Sequence, residues 1–97
     1  RDEFGREHLQ FSVVLATGTN NIAHGISDTY AEIDDYSAFV INTDGLIIKD
    51  NNPYNTANSD MVVKVNATNF TTDISGVSGS KLVGQTLHVY VIKRPNT

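Results

Sequence analysis

Ninety-seven residues carrying a net charge of −4 are the size of one domain and lack the continuous basic face that a phosphate backbone requires. With no cysteine, a disulfide framework and a thiolate metal site are both excluded. No apolar run approaches the roughly 18 residues of a membrane span, and Arg1-Asp2-Glu3-Phe4 does not open a signal peptide. The charge is unevenly placed: residues 28–60 sum to −6 and residues 64–97 to +3, so nucleic acid is not expected as a partner. Ten Asn, ten Thr and seven Ser suit strands and turns better than helices.

From the N-terminus, the mainly charged residues 1–10 read as a neck or lead-in to a β-domain over residues 11–97. A first strand is expected near Leu9 to Ala16, with Phe11, Val13 and Leu15 on one face, ended by the turn formers Thr17-Gly18-Thr19-Asn20-Asn21. A half-exposed strand follows near Thr29 to Asp34, with Ala31 and Ile33 on one face and Tyr30, Glu32 and Asp34 on the other. Residues 37–49 are two apolar runs joined across Asp44-Gly45, which predicts a hairpin with Gly45 at positive φ.

Asp50 to Asp60, with Asn51-Asn52-Pro53-Tyr54-Asn55, reads as a loop because proline cannot donate to a ladder. Further strands are expected near Met61 to Ala67 and Phe70 to Ile74, then a flexible Ser75–Ser80 loop. The last strand, Gln85 to Arg94, sets Leu87, Val89 and Val91 against His88, Tyr90 and Ile92. About six such strands imply an all-β fold, a small antiparallel barrel or sandwich.

Chemistry is sparse in this sequence. His24, Ser27 and Asp28 lie close together, but there is no nucleophile elbow, and His24 reads as a surface-loop histidine. Asp34 and Asp35 are strand neighbours that should point to opposite faces, unlike the facing carboxyl groups of a glycoside hydrolase. Catalysis is therefore not expected, and no motif calls for a cofactor. Oxygen-rich stretches at Asp50-Asn51-Asn52 and Asn58-Ser59-Asp60 have the donor type of a calcium site, without any EF-hand loop.

The outer face of the last strand is the richest surface. His88, Tyr90, Ile92 and Arg94 project together there, a combination suited to stacking on a sugar ring while polar groups take its hydroxyls. Tyr54 and Asp34 join His88, Tyr90 and Arg94 as candidate ligand-binding residues. The plainer reading is that this face packs against another sheet or a neighbouring subunit.

The charged lead-in Arg1 to Gln10, the strand Phe11 to Ala16, the hairpin at Asp44-Gly45 and the closing strand Leu87-His88-Val89-Tyr90-Val91-Ile92 together form a recognisable layout. It resembles the receptor-binding head domains of lactococcal-type siphophage tails. That resemblance implies a homotrimeric β-barrel at an extracellular virion tail tip, holding host cell-surface carbohydrate without covalent chemistry. The alternative is an Ig-like or cadherin-like structural module of a surface protein whose acidic loops hold calcium.

Overall fold

Alternating apolar and polar residues commit each segment to a sheet with one buried face, and the chain satisfies that demand with two sheets. The computed structural model describes residues 5–27, 32–49, 61–75 and 79–94. Over these residues run β1 (Glu7–Val14), β2 (Gly18–Ala23), β3 (Ile33–Ile41), β4 (Ile47–Lys49), β5 (Val63–Val65), β6 (Asn69–Ile74) and β7 (Thr86–Lys93). One sheet has the order β1-β7-β3-β4 and the other β2-β6-β5, with every pairing antiparallel. Of the two expected forms, the chain adopts the sandwich. Among the described residues no helix is long and apolar enough to cross a membrane.

The inner faces meet in one core. Leu87, Val89 and Val91 of β7 and Ala38 and Val40 of β3 are buried from one side, and Val63, Phe70 and Ile74 from the other. Phe70 is the hub, with ring centroids 5.9 Å from Phe11, 5.3 Å from Tyr36 and 5.4 Å from His24. Two of those rings belong to the opposite sheet, so Phe70 joins the layers by apolar and edge-type ring contacts. Tyr36 adds a polar tie, its hydroxyl donating to the Val63 carbonyl at 2.9 Å.

The hairpin at Asp44-Gly45 forms as expected, with Gly45 at φ 82°. The Oδ1 of Asn42 accepts from the Asp44 and Leu46 N–H groups at 2.9 and 3.0 Å, and Lys81 bridges the Asp44 carboxylate. Gly79 is needed for a different reason. A Cβ there would collide with the Cγ2 of buried Ile74, so only glycine fits at that close approach.

Several expectations are corrected. β1 ends at Val14, ahead of Thr17–Asn21, but that segment is more than a turn, because Gly18 to Ala23 pairs along β6 as β2. Asn20 makes this possible: buried, it takes the Ala16 N–H on Oδ1 at 2.9 Å and donates to the Ala16 carbonyl at 2.8 Å. His24 is buried rather than surface-borne, with Nδ1 accepting the Ile26 N–H at 2.9 Å and Nε2 set 2.9 Å from the Asn66 carbonyl. Accepting on Nδ1 leaves the proton on Nε2, which donates to Asn66.

The first strand starts at Glu7, so residues 7–10 are paired with β7 as part of the sheet. Ile33 and Asp34, from the strand expected at residues 29–34, belong to the same element as the first arm of the hairpin, since β3 begins at Ile33, with a bulge between Ile33 and Asp35. Residues 28–31 lie outside the described residues, as do 50–60 and 76–78, and with them Tyr54, both candidate calcium stretches and half of the Ser75–Ser80 loop.

Because Phe70 contacts rings on both sheets, Phe70→Ala should cost about 3–5 kcal/mol of unfolding free energy. The exposed Val62→Ala should stay within roughly 0.5 kcal/mol. Urea denaturation of the two variants checks both values, and equal losses would contradict a core centred on Phe70.

Candidate functional site

Burying Leu87, Val89 and Val91 forces the intervening residues of β7 outward, onto a face that no other part of the described chain covers. Register then decides what stands beside them. Tyr90 lies between Gln10 of β1 and Ser37 of β3, His88 between Ser12 and Phe39, and Ile92 between His8 and Asp35.

Phe39 organises the middle of the face. Its ring lies 5.1 Å from His88 with planes 26° apart, and 5.9 Å from Tyr90 with planes 5° apart, giving a set of near-parallel rings across two strands. Tyr90 is the most open of the three, 41% exposed, whereas Phe39 and His88 are half-buried. His88 Nδ1 is buried with no hydrogen-bond partner, so this imidazole is held by ring contact rather than by its polar atoms.

Beside Tyr90 the sheet surface dips into a cleft of about 130 Å³ bordered by His8, Asp35, Ser37, Tyr90 and Ile92. Three strands supply its wall. Asp35 reaches it because the bulge at Asp34 shifts the phase of β3, so that Asp35 faces outward beside Ile92 while Tyr36 stays in the core. Its Oδ1 accepts the Tyr36 N–H at 2.8 Å, which fixes the carboxylate.

The sequence candidates therefore divide into two groups. His88 and Tyr90 come together with Phe39. Arg94 and Asp34 instead form an ion pair at the end of the face, Nε to Oδ1 3.2 Å, with Arg6 also 3.7 Å from Asp34. Lys93 sits 3.6 Å from both Glu7 and Glu32. Sequence reasoning missed His8, Asp35, Ser37 and Phe39, since they become neighbours of Tyr90 only once β7 is placed between β1 and β3. Among the described residues no group of three metal-ligating side chains converges. Comparison with protein-family models, curated proteins and solved structures finds no match to this chain.

Since Nδ1 of His88 has no hydrogen bond to lose, His88→Phe should be neutral or stabilise the fold by up to about 1 kcal/mol. Chemical denaturation measures this directly, and a loss above about 1 kcal/mol would mean that the imidazole makes a polar interaction in solution.

Proposed function

We propose that this chain is a non-catalytic adhesion domain that holds cell-surface saccharide on the outer face of its four-stranded sheet. The observation that carries the reading is the near-parallel ring set of Phe39, His88 and Tyr90 lying directly beside a cleft that is mainly apolar and edged by His8, Asp35 and Ser37. Saccharides present an apolar C–H face and a rim of hydroxyls, so a ring next to carboxylate, hydroxyl and imidazole groups matches both chemistries. A rigid sheet also holds these groups in place without a loop having to order on binding.

The layout shared with siphophage receptor-binding heads extends the reading to a homotrimer at an extracellular virion tail tip. A trimer is supported by a row of side chains at the opposite end of the same face: Val14, Ile41 and Ile47 are 62%, 49% and 61% exposed. Exposed aliphatic side chains gathered at one end of a sheet face, here Val14 on β1 and Ile41 and Ile47 across β7 from it, suit coverage by another chain. Three such domains on one particle make weak single sites sufficient, because linked binding raises avidity by about 10²–10⁴-fold.

A glycan array that includes bacterial cell-wall saccharides tests the reading. Tyr90→Ala should weaken the captured glycan at least about tenfold while leaving the chain folded, at a cost of about 1 kcal/mol for the lost ring pair with Phe39. Unchanged affinity would reject this face as the binding site. Sedimentation of the intact chain should give a trimer at micromolar concentration, and a monomer would remove the tail-tip part of the reading.

A further inference from the structure

The cleft beside Tyr90 has a charge character that narrows the ligand. Around this end of the sheet stand the cations Arg6, Lys93 and Arg94 and the carboxylates Glu7, Glu32, Asp34 and Asp35. Each of the three cations already faces a carboxylate, Arg6 and Arg94 at Asp34 and Lys93 between Glu7 and Glu32. Asp35 is the acid left over: it borders the cleft, makes no ion pair among the described residues, and has one oxygen engaged by the Tyr36 N–H. An anion entering here would meet the Asp35 carboxylate, with His8 the other titratable side chain on the wall, whereas a hydroxyl would find a strong acceptor.

Size narrows the ligand further. A cleft of about 130 Å³ is well below the roughly 300–1,000 Å³ of pockets that enclose drug-sized ligands, so it admits about one sugar ring. Ser37, two residues along β3 from Asp35 and opposite Tyr90, adds a hydroxyl that both donates and accepts.

Resting on the saccharide reading above, we propose that this cleft selects a single neutral hexose unit, Asp35 accepting hydrogen bonds from its hydroxyls while Tyr90 packs against its C–H face, and disfavours acidic sugars. Asp35 is the specificity-determining residue of the site.

The test is titration of the isotope-labelled intact chain, followed by amide resonances, with the methyl glycosides of glucose, mannose and galactose and separately with glucuronate. The neutral glycoside that binds should move the signals of Ser37, Tyr90 and Ile92, and glucuronate should bind roughly two- to fivefold more weakly, the range a solvent-exposed charge supports. Asp35→Asn, which keeps an oxygen for the Tyr36 N–H, should weaken the neutral glycoside about tenfold and narrow the gap to glucuronate. The same spectra show whether the variant is folded.

Glucuronate binding as well as the neutral glycosides would overturn the inference, as would an indifferent Asp35→Asn alongside a Tyr90→Ala that abolishes binding, and in either case the adhesion reading would stand. Silence toward all four sugars overturns the inference as well. In that case a positive glycan array would keep the adhesion reading, and a negative one would end it.

Discussion

β7 is hydrogen-bonded on both sides, to β1 along eight residue pairs and to β3 along seven, and so it can lean its side chains in only two directions. Leu87, Val89 and Val91 take the inner direction and are almost wholly buried. Burying each contributes about 1.5–3 kcal/mol, enough that a one-residue slip of register would be prohibitive. That constraint fixes His88, Tyr90 and Ile92 on the outside. The surface chemistry of the four-stranded sheet is in this sense a by-product of how the core locks its central strand.

The outer face changes character along its length. At the end nearest the β3–β4 hairpin it is aliphatic, with Val14, Ile41 and Ile47; the aromatic set follows; the cleft and the ion-paired rim of Arg6, Asp34 and Arg94 lie at the far end. An interface between copies and a saccharide site could thus share one sheet without competing for the same residues. The three-stranded sheet carries a larger hollow of about 220 Å³, bordered by Val62, Lys64, Thr71 and Asp73, but no aromatic ring lines it. Its outward residues include Thr19, Lys64 and Asp73, with Thr19 already donating to Asp73 at 2.6 Å and no ring among them.

Much of this could be read from residue order, and the exceptions have physical reasons. β7 and the Asp44-Gly45 hairpin were plain because alternation and a positive-φ glycine act locally. β2 was hidden because Thr19, Asn20 and Asn21 are turn formers by composition; the side chain of Asn20, bonded to Ala16 on both sides, is what makes their burial tolerable. His24 was misread on the same grounds, since a polar residue in a glycine-containing stretch gives no hint that the Ile26 N–H and the Asn66 carbonyl will satisfy it. The cleft is a tertiary fact. Ile33 and Tyr36 both turn inward, and only the bulge between them brings Asp35 to the surface beside strands from the two ends of the chain.

The central claim is that one rigid face, centred on Tyr90 and Phe39, makes the contact with ligand. Intermolecular nuclear Overhauser effects between the intact chain and a captured saccharide address it most directly. The account predicts cross-peaks from sugar C–H protons to the Tyr90 ring and to Ile92, and none to the three-stranded sheet. Cross-peaks confined to residues such as Lys64, Thr71 or Asp73 on that other sheet would contradict it.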